Sequence, residues 1–393
     1  MLADEIRKIT EQLIEATGAS APPADLIKRL CDEMLQAGIP LWRAGVFIQT
    51  LHPDIYGRNF VWHAGGDVVT STVDFDIVDS DMFNTSALAV VFREGREVRC
   101  RLDGPTPYPF LNEMRAEGAT DYLAAPLRFI DGSVHATSWL TRKPAGFSDE
   151  EIAGIHAIIP PLTRLVEAIG QRRLTTTLLN TYVGSRAGER ILGGQIRRGH
   201  TETMHAAIWL SDLRGFTALS DRLPPESVVD ILNRYFDCQV PAILAHGGEV
   251  LKFMGDGLLA VFPVADDGAD RAEVCGRVLA AAREARAAVD ALRWSDTAGH
   301  EERFRFGVAL HVGQVLYGNI GGGNRLDFTC IGPAVNLAAR LEKIAGRLQR
   351  TVVASATFAE TCVCDWSDLG EFPIAGFAKA ERVYGLLEED RAE

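Results

Sequence analysis

The chain has 393 residues, of which 47% are hydrophobic, and it carries a formal net charge of -13 at pH 7. This length suits two domains, each with a core of its own. A chain this acidic has no general attraction for nucleic acid or anionic membranes, so we expect neither as a partner. A polyanionic ligand would need a local binding site with positive charge, such as a bound metal ion.

The cysteines and the N-terminus favour a cytoplasmic protein. The seven cysteines are an odd number, are scattered and form no C-x-x-C pair, so neither a disulfide framework nor a zinc site is predicted. The first eight residues carry no apolar signal-type run, and no uninterrupted apolar stretch is long enough to cross a bilayer. We therefore expect a cytoplasmic chain with reduced thiols and no membrane span.

The N-terminal half predicts a mixture of helices and strands. Residues 5–37 have the apolar spacing of helices, and Pro22-Pro23 divides them into two segments. Ser148 is a good N-cap with Glu151 three residues on, which predicts the start of another helix. Between these helices, four runs have strand-like patterns: 42–50, 59–63, 122–129 and 135–141.

A helical connector is expected at 166–199, between one domain at 1–165 and a second at 200–393. The apolar stripe of the connector weakens at Arg172-Arg173 and resumes at Leu174. The glycines that follow are predicted to break the helix: Gly184, Gly188 and Gly193-Gly194.

The order of elements in the C-terminal half is informative. A buried-strand run at 206–210 precedes a helix that is predicted to start at Pro224-Pro225 and to end at Gly247-Gly248. The elements that follow are a β-hairpin at 249–262, a helix at about 269–292, strands at 304–312 and 326–331, and a helix at 332–344. Strand, helix, hairpin, helix, strand is the order of a ferredoxin-like layer, so the predicted fold class of this half is α+β.

Two aspartates are candidate metal ligands. Asp212 follows the first strand of the C-terminal half, and Asp256 lies between two glycines at the tip of the hairpin. Each alone has an ordinary explanation, a strand-end cap for Asp212 and a turn residue for Asp256. If adjacent strands bring both to one edge of the sheet, they suit Mg²⁺, which takes oxygen ligands and substrate phosphates. The backbone N–H groups of Gly215, Phe216 and Thr217 would then lie beside the metals to hold phosphate.

Three segments closely resemble the signature motifs of the class III nucleotidyl cyclases: SDLRGFT at 211–217, LKFMGDG at 251–257 and IGPAVNLAARLE at 331–342. The resemblance covers roughly residues 200–388, and three motifs in the right order make it specific. It implies a homodimeric adenylate cyclase that converts ATP into 3′,5′-cyclic AMP and pyrophosphate for intracellular signalling. In that family the active sites lie at the dimer interface.

The resemblance implies a role for each matching residue. Asp212 and Asp256, with the backbone carbonyl of Leu213, match the ligands of two divalent cations, Mg²⁺ or Mn²⁺. Asn336 and Arg340 lie four residues apart, hence on one helical face, and match the ribose-orienting and transition-state residues. Without the resemblance, such a pair would be interpreted as a solvated polar face.

The choice of base is predicted from Lys252 and Thr329. In the family, adenylate cyclases carry Lys at the first position and Asp or, in one subclass, Thr at the second, whereas guanylate cyclases carry Glu and Cys. Lysine is a donor only and can therefore read an acceptor on adenine. The resemblance thus implies ATP as the substrate and the Thr-containing subclass. Some members of that subclass respond to bicarbonate, which leaves bicarbonate open as a regulator.

One position departs from the family pattern. Ala375 stands where the family often has a lysine that binds the triphosphate, and Lys379 nearby could take its place. Two alternatives compete with an adenylate cyclase. A guanylate cyclase is disfavoured by Lys252, and a nucleotide-binding partner without catalysis is disfavoured because both aspartates, the asparagine and the arginine are present.

The N-terminal domain, 1–165, loosely resembles a GAF domain of α/β type. The resemblance rests on flanking helices, a central sheet and the sequence PAGFSDEE at 144–151 before a long helix. Binding of a small-molecule regulator and dimerisation without a ligand are both open. Four histidines in this half are not at metal-ligand spacings and are expected to be ordinary core or surface residues: His52, His63, His135 and His156.

Overall fold

The computed structural model describes residues 2–15, 21–53, 55–265, 267–295, 301–323 and 325–390. The chain divides into two units, Met1–Leu178 and Leu179–Glu393. The division falls inside the segment that the sequence predicts as a connector. Each unit is described by itself below.

The N-terminal unit is built on one six-stranded sheet. Its strands are β1 (Arg43–Gln49), β2 (Gly57–His63), β3 (Val69–Val73), β4 (Val98–Arg101), β5 (Asp121–Arg128) and β6 (Val134–Thr141). They lie in the order β3-β2-β1-β6-β5-β4, and every pairing is antiparallel. The unit is therefore α+β in the strict sense, and the α/β class expected for it is wrong, because antiparallel neighbours need no crossover helix between them.

Helices cover both faces of this sheet. They are α1 (Leu2–Glu15), α2 (Pro23–Gln36), α3 (Asp81–Asn84), α4 (Ala87–Glu94), α5 (Pro109–Ala116) and α6 (Asp149–Val183), with a 3₁₀ turn at Phe75–Asp79. One face packs with α1, α2 and the first half of α6 around Trp62 and Trp139. The other face packs with α4 and α5 around Tyr122.

Helix α6 begins with the predicted capping box. The Glu151 N–H donates to Ser148 Oγ at 3.3 Å, and the Ser148 N–H donates to Glu151 Oε2 at 2.7 Å. The helix runs 35 residues, contains Pro160 and Pro161, and continues through the weak stripe at Arg172-Arg173. Within the described chain, this one helix is long and apolar enough to cross a membrane by length and composition, and it also supplies buried core residues from Ile152 to Val166.

The connector departs from the prediction at Gly188. Gly184 does end α6, but Gly188 lies inside a further helix, α7 (Ser185–Leu192). A Cβ atom at Gly188 would lie 2.7 Å from Asn180 Oδ1 and 3.2 Å from Leu179 Cβ. The glycine therefore allows α7 to approach the end of α6 closely, instead of breaking a helix.

The C-terminal unit contains a larger sheet. Its strands are β7 (Thr201–Leu213), β8 (Glu249–Met254), β9 (Gly257–Val264), β12 (Phe306–Gly322), β13 (Arg325–Ile331), β14 (Val352–Ser355), β15 (Trp366–Phe372) and β16 (Glu381–Leu386), and a separate ribbon pairs β10 (Arg293–Ser295) with β11 (Glu301–Arg303). The order is β15-β16-β14-β12-β7-β9-β8, with β13 paired to β12. The segment β12-β7-β9-β8 is antiparallel throughout and has the ferredoxin-like arrangement that the sequence predicts.

The helices of this unit are α8 (Phe216–Arg222), α9 (Pro225–Asp237), α10 (Val240–Ala245), α11 (Arg271–Ala291), α12 (Pro333–Leu348), α13 (Ala356–Thr361) and α14 (Leu387–Asp390). The single helix predicted from Pro224 to Gly247 is in fact two, because α9 ends at Asp237 and Pro241 lies in the first turn of α10. Helices α8 to α11 and α13 cover one face of the sheet, whereas α7 and α12 cover the other.

Candidate active site

Asp212 and Asp256 lie side by side at one edge of the C-terminal sheet. Asp212 is the penultimate residue of β7 and is paired in register with Gly257, the first residue of β9. Asp256 precedes Gly257 in the tight turn between β8 and β9, and its carboxylate is within hydrogen-bonding reach of the Asp212 carboxylate. The structure therefore brings together the two side chains that the sequence selects as metal ligands.

Glycines on both sides of Asp256 make this approach feasible. Gly255 has φ of 68°, a left-handed conformation that favours glycine. At Gly257 a Cβ atom would lie 3.1 Å from the Ser211 carbonyl oxygen and 3.5 Å from Asp212 Oδ1. The glycine at 257 thus leaves space directly beside the Asp212 carboxylate.

The charge of the pair fits a divalent cation. Partial burial and the nearby carboxylates of Asp256 and Glu342 together raise the pKa of Asp212 to about 7, against the opposing charge of Arg214. Two carboxylates this close repel one another, and a hard cation with oxygen ligands relieves that repulsion. The described residues contain no cluster of three or more His, Cys, Asp or Glu placed for a metal, so the backbone carbonyl of Leu213 remains the third ligand by prediction.

Arg214 and Glu342 form a buried ion pair next to this site. Arg214 Nη1 lies 2.5 Å from Glu342 Oε1, and the two side chains are 20% and 8% exposed. The pair joins the residue two positions after Asp212 to α12. Sequence reasoning did not single out either residue, although both lie inside the quoted motifs, because a motif match does not show which charges pair.

The segment after Asp212 leaves backbone donors available. Gly215, at φ of 75°, precedes α8 and provides no side-chain cap. Among the described residues, the N–H groups of Phe216 and Thr217 have no hydrogen-bond partner, as is usual in a first helical turn. The Phe216 side chain packs against the core, whereas Thr217 is exposed.

Asn336 and Arg340 lie on the exposed face of α12. Both side chains are exposed, and within the described chain neither forms a hydrogen bond or an ion pair. Ala334, Leu337, Ala338 and Leu341 occupy the opposite, buried face of the same helix. The two predicted residues therefore share a face of α12. Within the described part of one chain, no hydrogen bond or ion pair joins either side chain to Asp212 or Asp256.

Lys252 and Thr329 lie on two strands that an ion pair connects. Lys252 Nζ, on β8, donates to Asp327 Oδ2 at 2.7 Å. Asp327 and Thr329 are two residues apart on β13 and hence share a face of that strand. Thr329 is buried, at 8% exposed. Sequence reasoning missed Asp327, although its spacing from Thr329 was a usable signal.

The region expected to bind the triphosphate lies between β15 and β16. Ala375 and Lys379 are both exposed, and Gly376 between them has φ of 90°. Lys379 has no ion-pair partner among the described residues.

Residues 200–387 match the family described as the adenylate and guanylate cyclase catalytic domain. This match, together with the ferredoxin-like sheet and the paired aspartates, means that the C-terminal unit carries a class III cyclase catalytic domain. The match covers the part of the chain in which all three motifs lie.

Several proteins named as cyclases are similar to slightly less than half of the chain. Adenylate cyclase 1 of Rhizobium meliloti is 34% identical over 173 residues, which are 44% of this chain and 25% of that protein. The adenylyl cyclase CyaB from P. aeruginosa is 26% identical with a TM-score of 0.42, over 48% of this chain and 96% of that structure. The guanylyl cyclase Cya2 is 28% identical with a TM-score of 0.38, over 47% and 92%.

The curated relatives are longer proteins. This chain spans 9% of a Dictyostelium discoideum adenylate cyclase and 25% of the Rhizobium meliloti protein. The chain thus spans only a small part of these relatives, and both an adenylyl and a guanylyl cyclase occur among the similar structures.

Proposed function

We propose that the chain is an adenylate cyclase that converts ATP into 3′,5′-cyclic AMP and pyrophosphate. The observation that carries the proposal is the register of β7 and β9, which pairs Asp212 with Gly257 and so places Asp212 and Asp256 side by side at the edge of the sheet. When bound there, divalent cations supply charge neutralisation for the triphosphate and a lower pKa for the ribose 3′-hydroxyl. The chain is strongly acidic overall, so a triphosphate needs such a local site.

The chain's own residues would bind and orient the nucleotide. The free N–H groups of Phe216 and Thr217 can donate to phosphate oxygens. The Arg340 guanidinium is planar and always charged, which suits charge that develops on phosphoryl oxygens. Asn336, one helical turn before Arg340, can hydrogen-bond the ribose.

Adenine recognition is proposed for Lys252 and Thr329. Lys252 can only donate, so it pairs with a ring nitrogen acceptor of adenine and not with the N–H that guanine carries at the corresponding edge. The Thr329 hydroxyl both donates and accepts. Supporting this assignment, the Lys252–Asp327 ion pair holds the ammonium on the β13 side, where Thr329 lies.

A homodimer with shared sites is part of the proposal. Asn336 and Arg340 are exposed and unpaired within the described chain, as expected of residues that complete a partner's site. Exposed apolar residues lie on the strands around Lys252 and Thr329: Phe253, Met254, Leu316, Leu326 and Ile331. Leu316 and Ile331 are direct cross-strand neighbours. An exposed apolar cluster of this kind is typical of a protein interface.

The test is to incubate the purified chain with ATP or GTP and Mg²⁺ or Mn²⁺, and to identify the cyclic product by mass spectrometry. We expect cyclic AMP, and Asp212→Asn should nearly abolish it, whereas Asp237→Asn, an exposed aspartate at the end of α9, should not. Cyclic GMP as the main product would contradict the base assignment. Full activity of Asp212→Asn would contradict the metal assignment.

A further inference from the structure

A large cavity lies inside the N-terminal unit. Its volume is about 940 Å³, and every residue that lines it belongs to that unit. It is bounded by α1 and α2, by the stretch of α6 from Leu162 to Thr177, and by the ends of β1, β2 and β6. A volume of this size is typical of sites that bury a drug-sized ligand.

The inner walls of the cavity are apolar. Leu26 and Leu30 of α2, Phe60 of β2, and Leu162 and Leu165 of α6 line it, and all five are buried. They belong to the core on the α1, α2 and α6 face of the sheet. Such walls favour the apolar body of a ligand, because burying apolar surface is favourable and burying polar groups without partners is not.

Three arginines line the same cavity without counter-charges. They are Arg58 on β2 and Arg172 and Arg173 on α6, and among the described residues none of them forms an ion pair. Arg58 is half-buried, whereas Arg172 and Arg173 are largely exposed. Partial burial, together with the nearby charge of Arg58, lowers the pKa of Arg173. Like charges that line one cavity repel one another, and an anion bound between them would relieve that repulsion.

The lining offers little negative charge of its own. Asp131 is the only carboxylate among the described lining residues, and its Oδ1 already accepts from the Ser133 N–H at 2.9 Å and the Ser133 hydroxyl at 2.6 Å. The buried Oγ1 of Thr50, also in the lining, has no hydrogen-bond partner in the described chain. The cavity thus combines uncompensated positive charge with an unsatisfied buried hydroxyl.

We infer that this cavity binds an amphipathic organic anion, with an apolar body between α2, α6 and the sheet and an acidic head group at Arg58 and Arg173. An uncharged apolar ligand would leave the arginines uncompensated. A small polar anion would leave the apolar walls empty. Arg172 and Arg173 belong to α6, the helix that continues along the chain into the C-terminal unit. A ligand bound in the cavity would therefore contact that helix directly.

The test measures binding of dodecanoate to the full chain by isothermal titration calorimetry, at concentrations where dodecanoate is monomeric. We expect one molecule per chain and binding of dodecanol, the uncharged analogue, to be weaker by about tenfold or more. The double variant Arg58→Gln, Arg173→Gln should lose affinity for dodecanoate by about tenfold or more. The matched control Arg7→Gln, Arg115→Gln removes the same charge from exposed positions outside the cavity and should bind as the wild type does.

A second variant fills the cavity without disturbing the arginines. Gly170 lines the cavity, and a Cβ atom there would meet nothing within 4 Å, so Gly170→Phe is expected to fold and to weaken dodecanoate binding. The proposal is overturned if dodecanol binds as tightly as dodecanoate, or if the folded double-arginine variant keeps wild-type affinity. It is also overturned if sedimentation shows that dodecanoate acts only by dissociating a dimer whose partner chain covers the cavity. These readouts do not depend on cyclase activity.

Discussion

Lys252 Nζ donates to Asp327 Oδ2 at 2.7 Å and so connects β8 to β13 two residues from Thr329. The two side chains are 38% and 53% exposed, so the pair contributes at most about 1 kcal/mol to stability. Its value is positional, because it holds a long, flexible ammonium at β13, the strand that carries the buried Thr329. Asp327 is therefore a positioning residue for base recognition under the proposed function.

Removal of this contact should reduce catalysis with ATP. We expect Asp327→Ala to lower kcat/KM for ATP about fivefold, since an exposed ion pair is worth about 1 kcal/mol. Glu273→Ala breaks a comparable exposed pair with Arg277 on α11 and should leave kcat/KM unchanged. A rise in kcat/KM for Asp327→Ala would instead mean that Asp327 competes with the base for Lys252.

Base preference should follow the residues at 252 and 329. Lys252→Glu combined with Thr329→Cys replaces a donor with an acceptor and should erode the preference for ATP over GTP. The measurement is the ratio of kcat/KM for the two nucleotides in the variant and the wild type. An unchanged ratio in a folded, active variant would show that other residues select the base.

Two inactive variants should complement one another in mixed dimers. Asp212→Ala and Arg340→Ala are each expected to be inactive as homodimers, because each damages both shared sites. In a mixed dimer one site receives both lesions and the other receives none. With free subunit exchange about half of the dimers are mixed, so about a quarter of all sites should work.

The measurement is cyclic AMP production by each variant alone and by the co-expressed pair. Native mass spectrometry provides the control that mixed dimers are present. A mixture as inactive as its parents, with mixed dimers confirmed, would mean that each site lies within one chain.

Protonation of His135 should destabilise the N-terminal unit below pH 6.5. His135 is 4% exposed, and burial lowers its pKa from 6.5 to about 4, against the raising effects of Asp131 and Glu167. Its Nδ1 accepts a hydrogen bond from the Gln49 N–H at 3.1 Å, and Nδ1 can accept only when it carries no proton. Between these pKa values the unfolded chain binds the proton and the folded chain does not, so stability falls as pH falls.

The loss between pH 7 and pH 5 should be about 2 kcal/mol for this one group. We expect His135→Asn, which keeps an acceptor for the Gln49 N–H, to reduce the pH dependence of unfolding by about that amount. The measurement is the urea-unfolding free energy of the wild type and the variant at both pH values. Equal pH dependence in the two proteins would contradict the assignment.

Two helical glycines should respond to alanine with opposite signs. Gly188→Ala places a Cβ atom 2.7 Å from Asn180 Oδ1 and should destabilise the packing of α7 by about 1–3 kcal/mol. Gly276, in α11, has nothing within 4 Å of a Cβ atom, so Gly276→Ala should stabilise by about 0.5–1 kcal/mol. Thermal unfolding of both variants tests this, and equal signs would refute the packing argument.

The sequence predicted the elements of the catalytic domain well, because local signals are strong there. The hairpin at β8 and β9, the strand β7 before Asp212 and the helix α12 with Asn336 all lie near their predicted positions. The α9–α10 break was missed, because a proline at Pro241 can start a helix as well as end one. Gly188 was misjudged for the same kind of reason, since a glycine required by close packing resembles a glycine that breaks a helix.

The candidate site was predicted in part. The hairpin signal predicts Asp256 at the turn between β8 and β9, whereas its meeting with Asp212 depends on the pairing of β7 with β9, which the sequence analysis assumes and the structure shows. The Lys252–Asp327 and Arg214–Glu342 pairs were not foreseen, because 75 and 128 residues separate the partners and nothing local signals a long-range pairing of side chains.

The docking of α7 sets where the catalytic domain can be cut. Ala187 is fully buried against the sheet, and its N–H donates to Glu249 Oε1 at 3.2 Å, while Tyr317 Oη donates to Oε2 of the same carboxylate at 2.9 Å. A recombinant fragment starting at residue 200 would strip off this helix, uncover apolar sheet surface and leave Glu249 with one of its two donors. Such a fragment would be prone to aggregate, and low activity in it would not test the proposed function. A fragment starting at residue 179 retains the helix and is the sound choice for expression.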